Sequence, residues 1–142
     1  MIVPDINLLL YAEIDAHPLH AVARRWWEAA LSDDRQVGLA PVCLFGFLRL
    51  STSRHVFTDP LDVGQAVERV ERWLEQPNVV TLSPGPAHLH TAFRLLRQLG
   101  TAANLTTDVQ VAAHAIEVNG DVYSNDGDFA RFDGLRWVNP LR

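Results

Sequence analysis

Thr106-Thr107-Asp108-Val109-Gln110-Val111-Ala112-Ala113-His114-Ala115-Ile116-Glu117-Val118-Asn119 runs through Gly120-Asp121 into Val122-Tyr123-Ser124-Asn125-Asp126-Gly127-Asp128-Phe129. The first part reads as an alanine-rich helix over Thr106–Asn119, buried along Val109, Ala112, Ala113 and Ile116. Thr107 is placed as its N-cap, which puts Asp108 in the first turn. The second part is a short strand, Val122–Ser124, stopped by a turn at Asp126-Gly127-Asp128. A helix that feeds a strand directly is the repeating unit of a parallel α/β sheet.

The rest of the chain keeps that alternation. Met1-Ile2-Val3 opens a buried strand, with Pro4 tolerable only near its end and Asp5 just past it. Leu19, Val22, Ala23, Trp26 and Ala30 recur at helical spacing, so a helix is expected from His17 to Ser32, with Pro18 in its first turn. Val37-Gly38-Leu39 suits a second strand, and Pro41 can open a helix through Thr52. Val63, Val67, Val70 and Leu74 define a helix over Leu61–Glu75 closed by Pro77. A third strand follows at Val79–Leu82, then a helix starting at Ser83 to Gly85 and stopping at Gly100. Leu135–Val138 is a candidate fifth strand. The expected fold class is α/β, a central mostly parallel sheet of four or five strands with helices on both faces, forming one domain over residues 1–142.

The chain has 142 residues, 48% of them hydrophobic, enough for one real core and no second domain. No apolar run reaches the length of a membrane span, and the N-terminus lacks the pattern of a secretory signal, so a cytoplasmic protein is expected. The single cysteine, Cys43, excludes an intrachain disulfide and an all-cysteine metal site, and its apolar surroundings predict a buried, inert thiol. All twelve basic residues are arginine, so chemistry that demands a lysine is excluded. The net charge of −5 speaks against a general nucleic-acid coat but not against a nuclease, because an acidic pocket is part of a metal site.

Asp5, Asp108, Asp126 and Asp128 are the residues to explain. Taken singly, each has an ordinary account: a strand-end turn, a first-turn carboxylate favoured by the helix dipole, a turn around glycine. Together they fall at element ends that a right-handed parallel topology places at one edge of the sheet. Carboxylates gathered there repel one another, and a hard divalent cation with oxygen ligands would balance them. Asn7 and Ser124 stand next to these acids as candidates to orient them or to contact a ligand. The histidines show no zinc-ligand spacing with Cys43: His88 and His90 face differently on a helix, and His114 is expected to be packed and hydrogen-bonded. The four tryptophans are expected in packing contacts.

Val3-Pro4-Asp5-Ile6-Asn7-Leu8-Leu9, Phe47-Leu48-Arg49, Thr107-Asp108-Val109-Gln110-Val111-Ala112-Ala113 and Ser124-Asn125-Asp126-Gly127-Asp128-Phe129-Ala130-Arg131-Phe132 together resemble the PIN-domain ribonucleases, specifically VapC-type toxins of bacterial toxin–antitoxin pairs. The resemblance covers nearly the whole chain. It implies a three-layer α/β/α fold and a metal-dependent endoribonuclease, with Mg2+ as cofactor and Mn2+ as its alternative. Structured RNA such as tRNA is the implied substrate, a VapB-type antitoxin the implied partner, and a homodimer the implied assembly. Asp5, Asp108 and Asp126 match the family's metal-binding acids, Asp128 a supplementary catalytic carboxylate. Arg49 becomes a candidate RNA contact, with a structural ion pair as the alternative.

One position departs from the family pattern. A glutamate usually precedes the Phe-Leu-Arg segment, and here that place is Gly46. Glu117, nine residues along the helix from Asp108 and so about 13 Å away, is too distant to substitute. Two readings follow, an active ribonuclease with an altered ligand set, or a catalytically weak or inactive PIN-like module that binds RNA and antitoxin. Haloacid-dehalogenase-type phosphotransferases and response-regulator receivers also gather acids at strand ends, but both need a lysine that this chain lacks.

Overall fold

Asp5 accepts a hydrogen bond from the backbone of Ile6 and so caps a helix at the very point where the first strand ends. In the computed structural model, which describes residues 1–142, that junction lies in the middle of the sheet. The strands are β1 (Ile2–Pro4), β2 (Val37–Leu39), β3 (Val79–Thr81), β4 (Asp121–Tyr123) and β5 (Arg136–Val138). They pair in the order β3-β2-β1-β4-β5, every pair parallel. The helices are α1 (Ile6–Glu13), α2 (His20–Leu31), α3 (Pro41–Ser51), α4 (Val63–Leu74), α5 (His88–Leu99) and α6 (Thr106–Glu117). They cover the sheet to give a three-layer α/β/α sandwich.

The chain winds outward from β1 through β2 to β3, then returns to lay β4 on the other side of β1. The strand order therefore reverses between β1 and β4, and in an open α/β sheet a crevice opens beyond the carboxyl ends of the strands at such a point. The register there is Val3 with Val122 and Pro4 with Tyr123. Continuing it by one residue sets Asp5 beside Ser124, and the Asp5 amide donates to the Tyr123 carbonyl at 2.9 Å. β1 tolerates Pro4 because it is the strand's last residue.

Several boundaries differ from the sequence reading for physical reasons. The helix α1 carries no amphipathic period because Leu8, Leu9, Leu10 and Ala12 are all buried, with the helix packed against its neighbours α2 and α3. α5 starts at His88, since Pro84 and Gly85 are irregular, Pro86 and Ala87 form a turn closed by the His88 amide on the Gly85 carbonyl, and the Gly85 amide is held by Glu117. α6 starts at Thr106, continuing a 3-10 turn over Ala103–Leu105, so Thr107 is inside the helix and no side chain caps it. β4 ends at Tyr123, which frees the Ser124 side chain to turn into the crevice.

The inner sheet residues Val3, Val37, Leu39 and Val122 are fully enclosed. On one flank Trp27, Phe47 and Trp73 pack edge to face, with Phe47 and Trp73 centroids 4.8 Å apart. Cys43 is buried, and burial together with the charges of Asp5 and Asp108 pushes its thiol well above the ordinary range, so it is inert as expected. No helix is long and apolar enough to cross a membrane.

The far end of α1 is tied down by charge. The buried Glu13 carboxylate pairs with Arg24 of α2 at 3.3 Å and Arg69 of α4 at 3.2 Å, and accepts from the Trp73 indole at 3.1 Å. Replacing Glu13 with alanine leaves two guanidinium groups facing each other and an indole N–H unpaired. Because both arginines are partly open to solvent, a loss of about 2–3 kcal/mol is expected, less than the roughly 3–5 kcal/mol of breaking a fully buried pair. Urea denaturation checks this through a lower midpoint with an unchanged slope.

Candidate metal centre

Asp5 is buried, and both of its carboxylate oxygens are engaged: one accepts from the Ile6 amide at 2.8 Å, the other from the Ser124 hydroxyl at 2.8 Å. That hydroxyl in turn accepts from the Asp126 amide at 2.9 Å and from the Asn7 side-chain amide at 3.2 Å. One fully buried hydroxyl thus connects the end of β1, the first turn of α1 and the turn after β4. Trp137 of β5 steadies the same turn, its indole donating to the Ser124 carbonyl at 3.0 Å.

Asp126 repeats the device on the next segment, capping the 3-10 turn Gly127–Arg131 through a 2.9 Å bond from the Asp128 amide. Its capping oxygen is fixed while its carboxylate stands beside that of Asp128. Asp108, in the first turn of α6, reaches the same place from the opposite side of the crevice. One carboxylate oxygen each from Asp108, Asp126 and Asp128 lies within 4.8 Å of the others. Around an octahedral Mg2+ with bonds of about 2.1 Å, adjacent oxygens are about 3.0 Å apart and opposed ones about 4.2 Å, so side-chain rotations would be needed to close this set on an ion.

The electrostatics agree with the geometry. Desolvation raises Asp108 to about 7, and the like charges of Asp5, Asp126 and Asp128 add to the shift. Asp5 is also raised, chiefly by burial and further by Asp126, against the lowering effect of its bonds from Ser124 and Ile6. No arginine pairs with Asp5, Asp108 or Asp126; the one ion pair at the cluster is Arg131 with Asp128, at 4.0 Å on the exposed rim. A set of oxygen donors with no protein cation to balance it fits a hard divalent cation.

Gly46 is explained by the helix that follows Asp5. A side chain at this position of α3 would collide with Ile6, whose Cγ1 lies 3.0 Å from where a Cβ would be and whose Cδ1 is closer still. The first residue of α1 therefore fills the space in which a longer side chain from α3 would stand. No carboxylate enters the crevice from α3, which carries none. Arg49, in the last turn of α3, is exposed and takes part in no ion pair, so the structural pairing weighed for it does not form.

A second group was not anticipated from the spacing of the histidines. His88 at the start of α5 and His114 and Glu117 on α6 also present one ligand atom each within 4.8 Å of one another. His88 Nδ1 lies 2.6 Å from a Glu117 oxygen, and the His88 and His114 rings are 4.3 Å apart. The available signal was the i, i+3 spacing of His114 and Glu117, which puts them on one helix face. Their partner comes from another element, which no spacing rule reveals.

The PIN domain family matches residues 2–135. The chain is 51% identical over 142 residues to Ribonuclease VapC33 of Mycobacterium tuberculosis, covering 100% of this chain and 99% of the relative. It is 39% identical over 140 residues to Ribonuclease VapC37 of the same organism, covering 99% and 97%. Among solved structures it is similar to VapBC2 from Rickettsia felis bound to a promoter DNA fragment, with a TM-score of 0.72, 20% identity and 98% of each chain covered. It is also similar to Mycobacterium tuberculosis VapC20, described as a sarcin-ricin loop cleaving toxin, with a TM-score of 0.71, 19% identity and 96% and 99% coverage. At those identities the structural likeness speaks for the fold.

The Asp108 shift has a measurable sign. Its folded pKa of about 7 lies above the ordinary value of 3.8, so the folded protein holds a proton that the unfolded chain has lost, and stability falls as pH rises between those limits. In chelator at low salt the metal-free protein should therefore lose stability from about pH 4 to pH 7. Asp108→Asn should flatten that slope and stabilise the metal-free protein near pH 7 by about 2 kcal/mol, roughly half the full linkage value because the group is partly hydrated. Chemical denaturation across the pH range checks this, and saturating Mg2+, which Asp108→Asn should bind more weakly, should offset or reverse the difference.

Proposed function

The chain belongs to the PIN-domain family and, within it, to the VapC-type toxins of toxin–antitoxin pairs, and from that premise we propose that it is a divalent-metal-dependent endoribonuclease. The observation that carries the proposal is the convergence of Asp108, Asp126 and Asp128 beside the anchored Asp5, at the point where the strand order reverses. Asp5, Asp108 and Asp126 would hold the cation, with Asp128 supplying the carboxylate that α3 does not. Mg2+ is its proposed identity, and Mn2+ would serve the same oxygen donors. When bound, the ion supplies positive charge for the phosphodiester and lowers the pKa of water.

The chain's own residues position and neutralise. Ser124 and Asn7 fix the orientation of Asp5 and of the turn bearing Asp126, so the carboxylates need little reorganisation when RNA arrives. Asp128 and Arg131 lie on the exposed rim, where a polyanion first meets the site. Arg49, exposed and unpaired, is free to meet an RNA phosphate. No side chain is needed as a covalent nucleophile, and Cys43 is too deeply buried to be one. Cleavage by water leaves 5′-phosphate and 3′-hydroxyl ends and does not use the RNA 2′-hydroxyl.

The substrate reading is a structured RNA cut in an exposed loop, tRNA among the candidates, because unpaired bases can be read there. The description of one structural neighbour as cleaving the sarcin-ricin loop supports a target of this kind. A VapB-type antitoxin is the proposed partner, since arginines from another chain would neutralise the open carboxylates. A homodimer is the proposed assembly. A second reading rests on the Ile6 and Gly46 contact: with no carboxylate from α3, the domain binds RNA and antitoxin but turns over poorly.

Cleavage of total and structured RNA with Mg2+ separates these readings. The ribonuclease reading expects metal-dependent products with 5′-phosphate and 3′-hydroxyl ends, reduced to the metal-free background by Asp126→Asn. Ser124→Ala keeps every carboxylate yet removes their common support, and a loss of about 10–100-fold is expected. Products ending in a cyclic 2′,3′-phosphate would contradict the mechanism. RNA binding with no metal-dependent cleavage would favour the second reading.

A further inference from the structure

Along α5 opens a pocket of about 740 Å³, lined by apolar residues such as Pro41, Val42, Leu89 and Phe93 and by the polar Thr106 and Gln110. His88 and His114 are set in this lining, both buried, at 7% and 6% exposure. Glu117 stands behind them, one oxygen on His88 Nδ1 at 2.6 Å and the other held by the Gly85 amide at 3.0 Å. A Cβ at Gly85 would push the Glu117 carboxylate away from this amide. The His114 ring makes no side-chain hydrogen bond; it lies against His88 and borders the cavity.

A structural ion pair between His88 and Glu117 has no use for a second buried imidazole beside it, and His114 is the residue that such an account leaves over. We propose that His88, His114 and Glu117 form a second metal site, selective for a borderline divalent cation such as Zn2+ and independent of the carboxylate cluster. Two imidazoles and one carboxylate are a zinc donor set, whereas Mg2+ prefers oxygen alone. Their ligand atoms lie within 4.8 Å of one another, and tetrahedral coordination at about 2.1 Å needs about 3.4 Å, a change within reach of side-chain rotation. The Gly85 amide orients Glu117 as outer partners orient ligands in metal sites. The cavity leaves the fourth position to water or to a donor from a bound molecule.

The two clusters share α6. His114 is six residues beyond Asp108, about 9 Å along the helix, too far for one ion to serve both. A cation at the histidines would join α5, α6 and the Pro84–Pro86 segment, and so brace the helix whose first turn carries Asp108. Metal and protons compete for the ligand atoms, so binding should weaken at low pH.

Zn2+ titration of the full-length chain, free of any histidine tag, tests the assignment by calorimetry near neutral pH. In an Asp108→Asn background, which weakens the carboxylate site, Zn2+ binding should persist, and adding His114→Gln should weaken it about 10–100-fold. Equal affinity with and without His114→Gln, or no binding in the Asp108→Asn background, would overturn the proposal. A readout that needs no variant is the visible spectrum with Co2+: intense tetrahedral bands are expected, and only the weak bands of octahedral oxygen coordination would contradict the site. Neither outcome depends on whether the protein cleaves RNA, so failure here is distinguishable from failure of the ribonuclease reading.

Discussion

The Ser124 hydroxyl is the one group on which the carboxylate crevice depends. It donates to Asp5, accepts from Asn7 and receives the Asp126 amide, while being fully enclosed by protein. The parallel register of β1 and β4 brings it there, since pairing Pro4 with Tyr123 sets the next residues side by side. The two central strands, the first turn of α1 and the loop after β4 therefore hold a common geometry through one buried oxygen. A buried hydroxyl with its hydrogen-bonding capacity used fixes position far better than an exposed one, because each bond it loses leaves a desolvated group unpaired.

What that geometry holds is electrostatically unfavourable in the metal-free state. Asp108 is pushed to about 7 and Asp5 is raised as well, with burial as the larger cause in both and like charge adding to it. The rest of the fold supplies the offset: a sheet with fully enclosed inner residues, an aromatic cluster on one flank and the Glu13 network at the far end of α1. The same helix, α1, thus begins at the carboxylate crevice and ends at a satisfied ionic cluster. Strain at one end and compensation at the other is the expected arrangement when a preorganised site is kept on a stable scaffold.

Much of this was legible in the sequence, and what was not has identifiable causes. The strands and the helices α2 to α6 follow largely from periodicity and from Pro41, Pro77 and Gly100, whose local chemistry agrees with the fold. α1 escaped because a helix buried on nearly every side has no polar face to betray its period. Asp5, Asp108, Asp126 and Asp128 were recognisable as element-end acids, but the hub role of Ser124 depends on strand register, which sequence spacing does not encode. Gly46 was conspicuous as a departure, and its cause, the Ile6 side chain, comes from a different helix. His88 with His114 and Glu117 was missed for the same reason: the cluster exists only because α5 packs on α6.

The central claim is that a hard cation is held by the carboxylates at the β1 and β4 ends while Ile6, not a ligand, faces them from α1. Anomalous diffraction from a crystal soaked in Mn2+ tests it most directly. The account predicts a peak within bonding distance of Asp108 and Asp126, near Asp5 and Asp128, with Ile6 still against Gly46 and no protein donor from α3. A soak with no peak among these carboxylates, or with manganese bound only beside His88 and His114, would contradict it.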